Sequence, residues 1–368
     1  MKRLFFLIIL ILLIMAPLDT PQAKVTGLCV NCHTMHNSQG GASMAYELSG
    51  GSFSATETPN AALVVSDCLG CHTAIDASTW EDPTTGAPIV YNVAEPSFNA
   101  AKGLAGGNFY WVKTDDTKGH NVFSDNPEDT MNPVEAPGKN PAGCATPTSC
   151  HVRIDNVEPQ YGTRQGCTKC HMMGNDQFST YHHADDSNLV VGSIQNDPDR
   201  FFRFLQGHMS GVGKGVSGIE DTDWEKSASA SDHNEYLGNS SVSKVGQLVT
   251  PMANSGNTMT AFCCGCHAAF HEEQNASGNW IRHPSDTVLG GAGTEYAGYS
   301  TYNPLVPVAR DSLSTVSSTV SGGDGDMVMC LSCHRAHGSP YDKMLRWDYK
   351  GWPAAGTNGC ATCHTWKE

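Results

Sequence analysis

A short pattern of cysteine and histidine recurs along the whole chain of 368 residues. Two Cys residues stand with two residues between them, and a His follows the second Cys at once. Numbered 1 to 6 in chain order, the sites are Cys29, Cys32 and His33; Cys68, Cys71 and His72; Cys167, Cys170 and His171; Cys263, Cys266 and His267; Cys330, Cys333 and His334; and Cys360, Cys363 and His364. This C-x-x-C-H pattern is the attachment site of a c-type haem, whose iron the imidazole binds. The sequence therefore predicts six covalently attached haem c groups.

Zinc sites and redox-active dithiols also use two Cys residues at this spacing. A zinc site leaves the next residue free to vary, whereas here that residue is His in all six copies. A redox-active dithiol would need only one such pair. The repeated His therefore favours haem over both alternatives.

A seventh haem site is predicted at Cys144, Cys150 and His151, where five residues separate the two thiols. A longer loop can still bring both sulfurs to the porphyrin, and His151 stands where the iron ligand is expected. A disulfide between the two Cys residues is the alternative, because an oxidising compartment permits it. The remaining cysteine, Cys264, has the wrong spacing for attachment and is predicted to be a bystander thiol.

The other His residues can supply the second axial ligands. Seven of the 16 His residues directly follow a Cys, and seven haems would need seven more ligands. The nine candidates are His36, His120, His182, His183, His208, His233, His271, His283 and His337. We therefore predict bis-histidine iron, with low midpoint potentials because no thioether ligand raises them. His182 and His183 are adjacent and point in different directions, so one of them is expected to be idle.

Three pairs of these His residues are close in sequence: His33 and His36, His267 and His271, and His334 and His337. A helical turn would place both members of a pair on one face. The two members cannot bind the same iron, because axial ligands approach the porphyrin from opposite sides. Each pair is therefore predicted to hold two different haems, which brings neighbouring haems close enough for fast electron transfer.

The N-terminus has the features of a secretory signal peptide, with Lys2 and Arg3 before an apolar run from residue 4 to 15. We predict that residues 1–23 are removed, and an uncleaved anchor is the alternative. Export agrees with haem attachment, which takes place outside the cytoplasm. The net charge of -15 argues against nucleic acid as a partner.

The predicted fold class is mostly irregular coil with short helices and few short strands. Pro and Gly interrupt the chain, and its long runs keep no period of 3.6 or 2 residues. Apolar residues make up only 39% of the sequence, so haems are expected to fill much of the core. No linker divides the mature chain, and we predict a single multihaem cytochrome c domain over 24–368, with haem-bearing blocks 24–125, 126–240 and 241–368.

Several stretches resemble the OmcS-type family of multihaem c-type cytochromes, which form extracellular filaments in metal-reducing bacteria. The stretches are residues 32–38, 111–113, 118–121, 266–271, 282–284 and 330–337. The resemblance implies a continuous haem stack, bis-histidine ligation, mostly coil and head-to-tail assembly. It also implies that His36 binds the site 5 iron of a neighbouring subunit. The middle of the chain, from Cys144 to His233, departs from the family.

The predicted function is long-range extracellular electron transfer by a secreted, cell-surface cytochrome that polymerises head to tail into a conductive filament. The predicted partners are other copies of the chain, other envelope cytochromes and extracellular acceptors such as metal oxides. A monomeric periplasmic or surface electron carrier is one alternative. A multihaem reductase is another, but it needs an open iron position, and the surplus of His allows every iron to have six ligands. We therefore predict an electron-transfer protein and no enzyme, apart from non-specific metal reduction.

Overall fold

The structure of the protein is a computed structural model that describes residues 28–49, 52–60, 63–97, 103–123, 167–171, 202, 205, 216–240, 258–264, 283–323, 325–351 and 358–366. The signal peptide predicted over 1–23 lies outside these residues. So does the seventh site, with Cys144, Cys150 and His151. The other predicted site residues outside them are Cys266, His182, His183, His208, His267 and His271.

Short helical turns hold the attachment cysteines. The α-helices in the described part of the chain are α1 Cys68–Cys71, α2 Thr168–His171, α3 Met259–Cys264, α4 Cys330–Cys333 and α5 Gly359–Cys363. Further 3-10 turns are Cys29–Asn31, Asp116–Lys118, Glu295–Gly298, Asp342–Met344 and Tyr349–Gly351. In a helical turn, residues three apart lie on the same face. The turns α1, α4 and α5 thereby place both thiols of a site side by side.

Side-chain caps fix where these helices begin. At α1, the Gly70 N–H donates to Oδ1 of Asp67 at 2.7 Å. At α5, the Cys360 N–H donates to Oδ1 of Asn358 at 3.0 Å. Such caps satisfy N–H groups that have no partner inside the helix. Helices of one turn depend strongly on this help, because starting a helix is costly.

The strands are short as well. They are β1 Ser38–Gln39, β2 Ala42–Ser43, β3 Ala45–Ser49, β4 Ser52–Thr56, β5 Thr73–Ala74, β6 Tyr91–Asn92, β7 Gly218–Ile219, β8 Glu235–Leu237, β9 Thr287–Val288, β10 Ala309–Arg310 and β11 Asp326–Val328. One five-stranded sheet has the order β7-β8-β10-β11-β9, with β8 and β10 parallel and the other neighbours antiparallel. The pairs β1-β2, β3-β4 and β5-β6 form two-stranded sheets, of which β5-β6 is parallel.

The apolar core of the described residues is divided into three clusters. One contains Phe202 and Met327 and packs against Cys263. A second surrounds Trp347 and packs against the cysteines of sites 5 and 6. The third contains Phe109 and packs against Cys167. Each part of the core therefore borders an attachment site.

This architecture confirms the predicted fold class of mostly irregular coil with short helices and short strands. The single domain over 24–368 stays a prediction. Within the described ranges, no helix has both the length and the apolar character that crossing a bilayer would need.

The expected helical turn across paired His residues is wrong at both pairs that the structure describes. Helix α4 ends at Cys333, and His334 has extended backbone with φ −114° and ψ 156°. His334 forms a β-bridge with Leu345, and His33 forms one with Val64. These backbone bridges replace further helical hydrogen bonds. Side chains along extended backbone alternate between faces, so extended geometry still lets residues three apart reach different haems.

The cap at α1 gives a test of local stability. We expect Asp67→Ala to lower the free energy of unfolding of the haem-loaded protein by about 1 kcal/mol, because the Gly70 N–H loses its side-chain acceptor. Asp67→Asn keeps an oxygen acceptor and is expected to lose much less. Denaturant unfolding of both variants measures the difference. Equal losses in the two variants would show that the carboxylate charge matters and the cap does not.

Candidate functional site

Two His residues from distant parts of the chain face each other. His171 is the last residue of α2, and His337 lies 166 residues further on. Their Nε2 atoms are 3.4 Å apart, and their ring planes are inclined by 52°. Two imidazoles that meet through Nε2 are the arrangement that a bis-histidine iron requires. The structure thus pairs the imidazole of site 3 with one of the predicted second ligands.

The ring of His337 is held in a tight pocket. It stacks on Phe109, with ring centroids 4.7 Å apart, and its backbone N–H donates to the carbonyl oxygen of Gly106 at 2.7 Å. A Cβ on Gly106 would lie 2.8 Å from Nδ1 of the ring, so only glycine leaves enough room. Burial, together with the nearby His171, lowers the pKa of His337 to about 3. The ring is therefore neutral, which is the form that binds a metal.

Backbone carbonyls orient two further attachment-site imidazoles. Nδ1 of His72 donates to the carbonyl oxygen of Pro88 at 2.7 Å, and Nδ1 of His334 donates to that of Lys343 at 2.9 Å. Placing the ring proton on Nδ1 leaves Nε2 as the ligand atom. Burial lowers the pKa of both rings below the usual range and keeps them neutral. These residues fit an axial haem ligand at sites 2 and 5.

His120, a predicted second ligand, lies among these rings. Its Nδ1 donates to the carbonyl oxygen of Ala336 at 2.7 Å. Burial lowers its pKa, and its proximity lowers the pKa of His334 and of His337. The loop that follows site 5 therefore meets imidazoles from the first third of the chain.

Attachment cysteines of different sites lie next to each other. The thiol of Cys68 at site 2 lies close enough to that of Cys167 at site 3 for each to change the pKa of the other. The thiol of Cys263 at site 4 likewise lowers the pKa of Cys330 at site 5. These sites are therefore neighbours in pairs, as closely spaced haems require.

Sites 1 and 6 are electrostatic neighbours of these pairs. Cys32 at site 1 helps to raise the pKa of the Cys71 thiol at site 2, and Cys363 at site 6 helps to raise that of the Cys333 thiol at site 5. Burial is the main cause of the raised pKa at Cys71, to about 11, and at Cys333, to about 12. Sites 1, 2 and 3 thus form one run and sites 4, 5 and 6 another. The meeting of His171 with His337 connects the two runs.

At site 6, the predicted second ligand His283 lies beside the attachment-site imidazole. The rings of His283 and His364 have centroids 6.3 Å apart and are inclined by 80°. Nδ1 of His283 donates to the carbonyl oxygen of Pro284 at 3.1 Å, whereas Nδ1 of His364 faces Oε1 of Glu295 at 3.2 Å. The two rings are candidates for one axial pair.

His233 has a different environment from the other candidates. Its ring stacks on Tyr302, with centroids 3.4 Å apart. Nδ1 lies 3.0 Å from the carbonyl oxygen of Ser229, and Nε2 lies 3.3 Å from Oε1 of Glu235. Both ring nitrogens face protein oxygens. Its assignment as an iron ligand stays a prediction that this geometry does not support.

Site 1 lies at the surface. His33 is half-buried, and His36 is exposed to solvent. Large apolar side chains around it are exposed too, with Met35 81% and Leu28 71% accessible. His36 is thus placed where a second molecule could reach it.

Three residues that shape these sites were not predicted from the sequence. Phe109 and Gly106 hold His337, and Glu295 faces His364. Nothing in their local sequence marks them, because their role depends on segments that are distant along the chain. The pairing of His171 with His337 could not be found for the same reason.

Comparison with known proteins agrees with the motifs. The family model for a doubled CXXCH motif matches residues 320–368, which contain sites 5 and 6. The chain is 24% identical over 390 residues to the C-type cytochrome OmcS of Geobacter sulfurreducens, covering 87% of this chain and 78% of that protein.

Two solved structures from Geobacter sulfurreducens are also similar. One is the outer membrane cytochrome S filament, with a TM-score of 0.46 and 18% identity over 89% of this chain and 85% of that chain. The other is the cryo-EM structure of OmcS nanowires, with a TM-score of 0.44 and 20% identity over the same shares of the two chains. The sequence match and the attachment motifs confirm the predicted resemblance: over most of its length, the chain is similar to the OmcS-type multihaem c-type cytochromes.

Proposed function

We propose that this protein carries electrons over long distances outside the cell, through haems attached at its successive C-x-x-C-H sites. The observation that carries the proposal is the pair His171 and His337, whose Nε2 atoms face each other 3.4 Å apart. Imidazoles on both sides of an iron leave no position for a substrate. At this site, the geometry favours electron transfer over substrate binding.

The residues of the chain fit the haem group by type and by position. Paired thiols lie on single helical turns, and His72 and His334 present a neutral ring with Nδ1 already bonded. The haem iron would supply one-electron redox chemistry. The protein tethers the porphyrin through thioethers, orients the imidazoles through their Nδ1 hydrogen bonds and excludes water by burying them. We extend this role to all six sites, and to the seventh at Cys144, Cys150 and His151.

The contacts between sites support electron transfer along the chain. The thiols of Cys68 and Cys167 lie close together, as do those of Cys263 and Cys330. Haems attached to neighbouring thiols are close to each other, and electron transfer is fast over short distances. The runs of sites 1 to 3 and 4 to 6 then form one continuous path through the contact of His171 with His337.

We further propose that the chains assemble head to tail, with His36 binding the site 5 iron of the next subunit. His36 is exposed, and so are the apolar residues Leu28, Val30 and Met35 near it. An exposed apolar patch of this kind marks an interaction surface. A contact between two different surfaces produces an open filament when its rotation does not close a ring. The signal peptide predicted over 1–23 would direct the chain out of the cytoplasm, where metal oxides and other envelope cytochromes can accept its electrons.

The ligand pair of site 3 can be tested by His337→Ala. We expect one haem to become high-spin, because its iron loses an axial ligand, while the number of bound haems stays the same. Electron paramagnetic resonance of the oxidised protein measures the spin state, and mass spectrometry measures the haem count. His233→Asn is the matched control, since both nitrogens of that buried ring face protein oxygens. A fully low-spin spectrum in His337→Ala would contradict the assignment.

The haem number can be tested on the mature protein. We expect mass spectrometry to find seven covalent haems, with one of them on the peptide that contains Cys144 and Cys150. A disulfide in that peptide would reduce the number to six and leave the proposed function intact. Fewer than six haems would contradict the proposal itself.

The assembly contact can be tested by His36→Ala. We expect haem-loaded monomers that fail to form filaments, because the next subunit's iron loses its ligand. Light scattering and electron microscopy of the purified protein measure this, with His283→Ala as a control that removes a different predicted ligand. If filaments persist in His36→Ala, that residue does not join the subunits. If the unaltered protein is monomeric, the protein is a carrier that works as a single chain.

A further inference from the structure

At site 6, Nδ1 of the imidazole faces a different kind of partner from the one that Nδ1 faces at sites 2 and 5. Nδ1 of His364 lies 3.2 Å from a carboxylate oxygen of Glu295, although the ring N–H is not well aligned with it. Nδ1 of His72 and of His334 face backbone carbonyl oxygens instead. A carboxylate carries a full negative charge, and hydrogen bonds to it are about twice as strong as those between neutral groups.

The backbone around Glu295 is fixed next to His364. Both the N–H and the hydroxyl of Thr365, the residue that follows His364, donate to the carbonyl oxygen of Glu295. The 3-10 turn that Glu295 begins packs closely, since a Cβ on Gly298 would lie 2.7 Å from a methyl group of Thr365. The side chains of His364 and Glu295 are only 23% and 20% exposed, so water screens their interaction incompletely. The placement of the carboxylate beside Nδ1 of His364 is therefore built into the fold.

We propose that Glu295 acts through His364 and makes the haem at site 6 more reducing than a carbonyl partner would. This inference rests on the proposed function, in which Cys360, Cys363 and His364 hold a haem. An imidazole that donates to a carboxylate is a more basic ligand. A more electron-rich ligand, with a negative charge behind it, stabilises the oxidised iron, which carries one more positive charge than the reduced iron.

The neighbouring site has the opposite arrangement. Site 5 borders site 6, as the influence of Cys363 on the Cys333 thiol shows, and its imidazole donates to the Lys343 carbonyl. Arg346 is buried at site 5, where its Nε donates to the carbonyl oxygen of Leu331 at 2.6 Å. A buried positive charge stabilises the reduced iron. Glu295 therefore favours electron transfer from site 6 to site 5 over the reverse direction.

The experiment is a potentiometric titration of the full-length, haem-loaded Glu295→Gln variant, followed by absorbance. Glutamine keeps the shape of the side chain and removes its charge. We expect the part of the titration curve that one haem contributes to shift to a less negative potential. The expected size is about a tenfold change in the ratio of reduced to oxidised haem at a fixed potential, as for the loss of one charge-assisted hydrogen bond. Glu295→Ala should shift the same part in the same direction.

The matched control is Glu95→Gln, which makes the same charge change at an exposed carboxylate. Its titration curve is expected to coincide with that of the unaltered protein. An unchanged curve in Glu295→Gln overturns the proposal. A high-spin signal in that variant also overturns it, because Glu295 would then only hold the ring in place. A peptide of residues 358–366 without haem would instead overturn the proposed function at this site.

Discussion

In the proposed function, each iron needs two imidazoles from opposite sides, and this need would govern how the chain folds. A site supplies one imidazole directly after its cysteines, and the second must come from elsewhere. His171 meets His337 across 166 residues of sequence, and His364 lies beside His283. Such pairs join distant segments as a disulfide or a metal site would. The chain can therefore keep a defined shape with helices of four to six residues and strands of two to five.

The small core follows from the same requirement. Three apolar clusters border the attachment cysteines, and none extends through the whole of the described structure. Burial lowers the pKa of His72, His120 and His334, so the imidazoles stay neutral. A neutral imidazole is the form that binds a metal. In the proposed function, the iron would bind these rings, and the haem planes would cover apolar surface beside them.

The sequence predicted the features that local spacing determines. The C-x-x-C-H sites and the scarcity of regular structure could both be predicted, because each depends on neighbouring residues. The helical turn across His334 and His337 was wrong, since the β-bridge from His334 to Leu345 lies outside any local pattern. The room that Gly106 leaves for the ring of His337 depends on tertiary packing too. A single sequence carries no signal for such contacts.

The contact between Cys68 and Cys167 has a consequence for biogenesis. Two free thiols in contact can oxidise to a disulfide in an oxidising compartment, and here the bond would join two different sites. Each site would then lose a sulfur that its haem needs. Attaching both haems before the chain folds would prevent this loss, because a thioether sulfur cannot form a disulfide.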